Sequence, residues 1–249
     1  MRSIEETSNL SAQAFQEQVL PAGQPLVIRG LVKEWPLVQA GLRSDEDFCA
    51  YLKTFDRGYP VDTAQGPPSI GGRIFYNEDL SGLNCRMAQA SLSSSLDFLL
   101  EQAEIESPST LAIQSVIVNR FLPGLDAENP LPPDLVPGGT GPRIWLGNRA
   151  TIAAHYDPSE NIACCVAGRR RFTLFPPDQV SNLYIGPFEI TPAGTTVSMV
   201  DFDRPDLDRF PRFTQALESA CQACLLYTSD AADDQWRVWC SVGGGAWKR

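Results

Sequence analysis

Histidine is almost missing from this chain: His155 is the only one among 249 residues. Every catalytic scheme built on this sequence therefore has a single imidazole to work with. A basic excess is missing too, with Lys and Arg totalling 20 against 30 Asp and Glu, for a net charge of −10. Duplex nucleic-acid binders need a basic face, so no nucleic-acid partner is expected. No apolar run approaches the roughly 18 residues of a membrane span, so no membrane association is expected. Residues 1–9 are polar and acidic and lack the apolar core of an export signal. An even cysteine framework is also absent. The seven cysteines are odd in number and irregularly spaced, which fits reduced, mostly buried thiols in a cytoplasmic protein.

What is present can build a core. Hydrophobic residues make up 43% and charged residues 20%, which argues against global disorder. The length suits one large domain, or one domain with an extension. Ser11 is placed to cap a short helix carrying Phe15 and Val19 and stopped by Pro21. Residues 26–28, after Pro25, read as a short strand. Ser44 and Asp47 form something like a capping box ahead of Phe48, Tyr51, Leu52 and Phe55 at helical spacing. Ser93 stands ahead of another helical face with Leu96, Leu99, Leu100 and Ala103. The first hundred residues are thus expected to be mostly helical, with a turn-rich joint at residues 66–72.

After Pro108 the pattern changes. Residues 111–118 are apolar and largely β-branched, as in a buried strand. Residues 121–141 are rich in Pro and Gly and read as a long loop. Short strand-like runs follow at residues 143–146, 151–155, 161–166 and 171–175. Ala167, Gly168 and Arg169 are expected to turn the third run into the fourth as a hairpin. Short strands between turns indicate a sandwich or barrel, not a parallel α/β sheet. Residues 208–220 read as one further helix.

The chemistry concentrates at residues 145–175. His155 and Asp157 stand two apart at the end of an expected strand, where alternate side chains share a face. Imidazole and carboxylate can thus reach one point. With a second, distant histidine they would form the 2-His-1-carboxylate triad of non-haem Fe(II) oxygenases. By itself this pair is a weak signal, because a lone histidine is more often structural than a metal ligand. In the basic run Arg169, Arg170 and Arg171, alternation sets Arg170 opposite its neighbours, against the alternative of a solvated turn.

The wider pattern is more specific. It runs through His155-Tyr156-Asp157, Asn161, Gly168-Arg169-Arg170-Arg171 and Leu174-Phe175-Pro176-Pro177-Asp178-Gln179. It continues through Leu183-Tyr184, Val200-Asp201-Phe202-Asp203, Pro205-Asp206 and Phe210-Pro211. Near the start, Pro25 to Gly30 and Trp35-Pro36 belong to the same pattern. From about Phe15 to Ala223 the chain resembles the JmjC-like cupin family that includes the asparaginyl hydroxylase inhibiting hypoxia-inducible factor. The resemblance implies a mainly β, double-stranded β-helix (jelly-roll) core with N-terminal helices packed on it. It implies an Fe(II)/2-oxoglutarate-dependent oxygenase acting on a protein side chain or a small molecule. His155 and Asp157 fall at two of the metal ligands, and Asn161 at a polar residue near the cosubstrate. Arg170 falls where a lysine pairs with the far carboxylate of 2-oxoglutarate. A guanidinium keeps that charge and can grip a carboxylate with two bonds.

Three positions depart from the family. Ile152 stands where a threonine hydroxyl is often found, and Ala112 where a tyrosine helps to hold 2-oxoglutarate. The distal metal histidine has no counterpart, because the chain has no second histidine, so the oxygenase activity is expected of the full-length parent and this chain is expected to be inactive. A non-catalytic cupin-like binding module is therefore the competing reading. A zinc- or manganese-binding cupin hydrolase or isomerase is a third, although Tyr156 and Asn161 stand where its extra ligands would be needed.

Beyond Cys221 the periodicity fades. Residues 224–234 (CLLYTSDAADD) match the translation of a transposase-end sequencing adapter. The expectation is one domain over residues 1–223, helical over 1–107 and jelly-roll over 108–223. Residues 224–249 would then be a non-native tail, and the barrel would be incomplete at its C-terminal end. Such a barrel leaves strand edges and apolar surface open, so this chain is expected to be unstable or to aggregate. Cys221 and Cys224 have C-x-x-C spacing, but the second lies in the suspect segment, so no metal or redox site is expected there.

Overall fold

In the computed structural model, the described residues are 2–132, 135, 141–157, 161–192, 194–227 and 239–243. An eight-stranded sheet dominates them. Its strands run in the order Arg2–Ser3, Cys221–Tyr227, Cys164–Leu174, Trp239–Gly243, Arg143–Gly147, Thr110–Ile117, Pro60–Gly66, Arg86–Ser91. All neighbours are antiparallel except the first pair. A short parallel ladder joins Arg73–Ile74 to Thr151–Ile152, and isolated bridges pair His155 with Val197 and Ile185 with Ser198. Mostly antiparallel β structure with helices on one face is the jelly-roll arrangement expected from the sequence.

Helices cover one face of the large sheet. Ser44 caps the helix Asp45–Lys53 by accepting a hydrogen bond from the Asp47 N–H at 3.0 Å. The helix Leu92–Ala103 is capped by Ser91, which accepts from the Ser94 N–H, and not by Ser93, whose N–H and hydroxyl both donate to Asp56. Ser11 caps as expected, but the first helical segment runs past Pro21 and ends at left-handed Gly23. Leu37, Val38, Phe48, Leu52, Leu96 and Leu99 from these helices pack against Ile113, Val116, Ile144, Leu146 and Val166 from the strands, and all are buried. Gly41 lets the helix Pro36–Arg43 approach closely, because an added Cβ would lie 3.1 Å from the Ala167 Cβ and 3.3 Å from the Phe48 ring.

On the other face, Ala64 and Ala112 from the large sheet meet Ile74 and Ile152 from the short ladder, with Cys85 and Ala150 alongside. This aliphatic layer joins the two walls of the sandwich.

Three expectations change. Pro60–Gly66 and Arg86–Ser91 are strands of the large sheet, although the first hundred residues read as mostly helical. Their apolar content is low, and cross-strand pairing outweighs propensity there. The expected hairpin at Ala167 to Arg169 is instead one continuous strand, Cys164–Leu174. Gly168, at φ +67°, adjoins a register shift between Cys165 and Ala167, which bends the strand without reversing it. The two halves of this strand find different partners, Trp239–Gly243 and Cys221–Tyr227, so nothing forces a turn. The third change concerns the last helix, which is shorter than expected and spans Phe213–Ser219.

The strand Cys221–Tyr227 runs through Ala223 without a break. Within it Cys221 and Cys224 are three residues apart and so point to opposite faces, which removes the C-x-x-C spacing as a shared site. Parts of the expected loop at residues 121–141, and residues 228–238 and 244–249 of the expected tail, lie outside the described residues. No described helix is long and apolar enough to cross a membrane.

Candidate metal half-site

The approach to His155 is set from both sides. Asn148 is buried. Its side-chain oxygen accepts from the Leu111 N–H at 3.0 Å, and its amide donates to the Ser109 carbonyl at 2.7 Å. This pins the turn before the ladder to the start of Thr110–Ile117. Gly72, at φ +86°, then accepts from the Thr151 N–H at 2.9 Å. A Cβ there would lie 2.4 Å from the Arg149 carbonyl oxygen, so only glycine allows the two chains to run side by side. Three residues after the ladder, His155 bridges to Val197, and Ser198 donates its N–H to the Ala154 carbonyl at 2.7 Å. Phe75, Tyr76, Ala153 and Val197 form a buried apolar floor beside it.

Three of the four residues expected from sequence come together here. The Nδ1 of His155 lies 2.9 Å from the Ala153 carbonyl oxygen. A carbonyl only accepts, so Nδ1 carries a proton, and in the neutral ring Nε2 is then the atom with the lone pair. That Nε2 is 4.0 Å from Oδ1 of Asp157, too far for a hydrogen bond. The other carboxylate oxygen, Oδ2, accepts from the Asn161 side-chain amide at 3.0 Å. Both free donor atoms thus face each other across a gap. Two cis donors at about 2.1 Å from one ion lie about 3.0 Å apart in an octahedral centre and about 3.4 Å in a tetrahedral one, so the pair has to close to share an ion. The side chains are 29% and 54% exposed, which leaves the gap open to solvent.

Asn161 therefore has a role that sequence reasoning did not give it: it orients the carboxylate. Hydrogen bonds of this kind to metal-binding side chains are worth about 10–100-fold in metal affinity. Asn161→Ala is expected to weaken divalent-ion binding by about that factor in calorimetric titration. Unchanged affinity would show that the contact is incidental.

Arg170 lies on the large-sheet strand Cys164–Leu174. It is half-buried between the exposed Arg169 and Arg171, as alternation requires, and its guanidinium lies 5.0 Å from the Phe172 ring centre. Sequence reasoning missed a second cation. Arg73, on the ladder strand, stacks 3.7 Å above the Phe75 ring centre and pairs with Asp201 at 3.7 Å. Burial holds its pKa below the usual arginine value, and Asp201 opposes that shift. The two-residue spacing of Arg73 and Phe75 was its only signal, just beyond the turn-rich joint at residues 66–72.

Three buried thiols are poor candidates for an alternative centre. Burial pushes Cys49 and Cys164 up to about 12 and Cys165 up to about 11, so almost no thiolate exists near neutrality.

The residues fit a triad only in part. His155 is the sole histidine of the chain. Among the described residues, no three His, Cys, Asp or Glu side chains converge. Among the described residues, His155 and Asp157 bring one imidazole and one carboxylate near each other, and no second imidazole joins them. Ala112 and Ile152, where the resemblance calls for hydroxyls, both belong to the aliphatic layer between the walls.

Comparison with known proteins agrees with this fold and site. The family model for the cupin-like domain matches residues 12–231, and the chain belongs to that family. Several of its relatives are named for a JmjC domain. It is 26% identical over 215 residues to JmjC domain-containing protein D of Dictyostelium discoideum, covering 82% of this chain and 46% of that protein. It is 24% identical over 234 residues to the human bifunctional peptidase and (3S)-lysyl hydroxylase JMJD7, covering 83% and 70%. It is 33% identical over 89 residues to lysine-specific demethylase JMJ31 of Arabidopsis thaliana, covering 35% and 16%. The chain thus spans less than half the length of the first and third of these. JmjC domains generally depend on Fe(II) and 2-oxoglutarate.

Proposed function

We propose that the chain is the cupin-like domain of an Fe(II)/2-oxoglutarate-dependent oxygenase that hydroxylates a protein side chain or a small molecule. The observation that carries this reading is the pairing of His155 and Asp157, with the imidazole proton held on Ala153 and the metal-facing lone pair turned toward Oδ1. In such enzymes the oxidising chemistry belongs to the metal and its cosubstrate, and the polypeptide binds and orients them. On this reading His155 and Asp157 hold the metal, Asn161 fixes the carboxylate, and Arg170 supplies a cation for the far carboxylate of 2-oxoglutarate. The names of the human and Arabidopsis relatives refer to lysine, which favours a protein substrate. Buried, protonated thiols suit a reducing, cytoplasmic compartment.

The second reading, a non-catalytic cupin-like module, is favoured by the aliphatic placement of Ala112 and Ile152 and by the missing third donor. The two separate in one assay: the protein is incubated with Fe(II), labelled 2-oxoglutarate and a panel of lysine-containing peptides, and release of labelled CO2 and succinate is followed. Turnover that depends on His155 supports the enzyme. No turnover, together with peptide binding unaffected by metal, supports the module.

A further inference from the structure

We propose that a cleft between the margin of the large sheet and the helix Leu92–Ala103 binds a small monocarboxylate with a flat apolar body, gripped by Arg86 and Gln65 and stacked on Phe98. The cleft lies on the helix-covered face of the sheet, opposite the ladder that leads to His155, and the inference stands apart from the metal reading.

Strand pairing assembles the lining. Arg86 stands directly across from Gln65, and Gln65 directly across from Leu111. Residues paired in this way project on one side of a sheet. Leu111 belongs to the core beneath the helices, so the Arg86 and Gln65 side chains project toward the helices too. Phe98, half-buried on the helix Leu92–Ala103, packs against the same core from above. Where helix and sheet margin part, these three side chains line a cleft of about 350 Å³, with Ser109 and Thr110 at the start of the next strand. That volume is enough for a small ligand, since such sites run from about 300 to 1,000 Å³.

The lining selects the ligand. Arg86 is the only Lys or Arg between Ile74 and Asn119, and its cross-strand neighbour is the neutral Gln65. The wall therefore presents a guanidinium and an amide side by side. A guanidinium matches a carboxylate through two parallel N–H···O bonds, and the amide adds a further donor. One guanidinium balances one carboxylate, so a second negative group would enter without a partner. The opposite wall is an aromatic ring, which favours a flat apolar body in an offset stack.

The test uses the 249-residue chain and phenylacetate as the probe, titrated by ligand-observed NMR up to about 10 mM, a range that reaches weak millimolar affinities. Acetate removes the ring and neutral phenylacetamide removes the charge. Saturable binding of phenylacetate is expected, with phenylacetamide and acetate each weaker by about tenfold or more. Arg86→Gln should abolish the preference for phenylacetate over phenylacetamide, and Phe98→Leu the preference for phenylacetate over acetate. Arg86 is exposed, so its variant is expected to keep the wild-type circular dichroism. Phe98 touches the core, and if its variant does not keep that spectrum, Gln65→Leu replaces it and should weaken phenylacetate alone. A ligand that joins helix to sheet also raises the urea midpoint of the unaltered chain, and that rise should vanish in Arg86→Gln. No saturable binding, equal binding of phenylacetamide, or phenylacetate affinity unchanged in Arg86→Gln would each overturn the proposal.

Discussion

Replacing Asp157 with alanine is expected to remove metal uptake at this site and to reduce 2-oxoglutarate turnover by more than about a hundredfold. A lost outer-shell partner costs about 10–100-fold in affinity or activity, and a lost ligand costs more. On the proposed reading, with two donors among the described residues, each carries a large share of the binding free energy. His155→Ala is expected to match it, and the double variant should be little worse than either single one, because residues acting as a unit are not additive. Calorimetric metal titration and succinate release measure the two effects separately. Turnover in Asp157→Ala within a few-fold of the unaltered protein would exclude this carboxylate from the metal. Asn161→Ala should fall between these limits, since it leaves both donors in place and frees only the carboxylate's orientation.

The largest expected effect on stability lies far from the site. Phe48→Ala should cost about 3–5 kcal/mol, the usual range for removing a fully buried phenylalanine. Phe48 is fully buried between two helices and the large sheet, against Gly41 on one side. Gly41 has no side chain to fill the gap, and the neighbouring helix is already in close contact with Ala167, so collapse around the cavity is limited. Urea denaturation followed by circular dichroism should show a lower midpoint with an unchanged slope. A loss under about 1 kcal/mol would mean that the helices are not firmly docked on the sheet. This measurement also bears on the expected instability of the chain, because a broad or absent transition in the unaltered protein would fit an incomplete barrel.

How much was legible in the sequence follows from the range of the interactions involved. The jelly-roll class was readable from short apolar strands between turns and from the pattern around His155. The cap at Ser44 was readable because its hydrogen bond spans three residues. His155 and Asp157 were readable because an alternating spacing and a family pattern coincide there. Other features depend on distant partners. Pro60–Gly66 and Arg86–Ser91 became strands because they pair with each other across 20 or more residues, which no local period records. Gly168 looked like a reversal because glycine at positive φ serves turns and bulges alike, and only the flanking strands decide between them. Asn161 was placed beside the cosubstrate by resemblance, and in the fold its side-chain amide also donates to Asp157. Arg73 and Asp201 lie far apart in the chain and meet only once the ladder and the segment after Val200 are assembled.

The donors of the half-site rest on little backbone. A two-residue ladder and one bridge hold the segment from Thr151 to His155, whereas the neighbouring strand Cys164–Leu174 is paired along its whole length. Local opening free energy follows such pairing, so this margin can come loose while the sheet and the helical core stay closed. An arriving ion must then pay to quiet the segment before it gains from the two bonds, and part of its intrinsic affinity is spent on that ordering. Anything that stiffens the margin beforehand, such as a ligand lying across Val197 or a neighbouring chain pressed against the ladder, would tighten metal uptake without touching the metal.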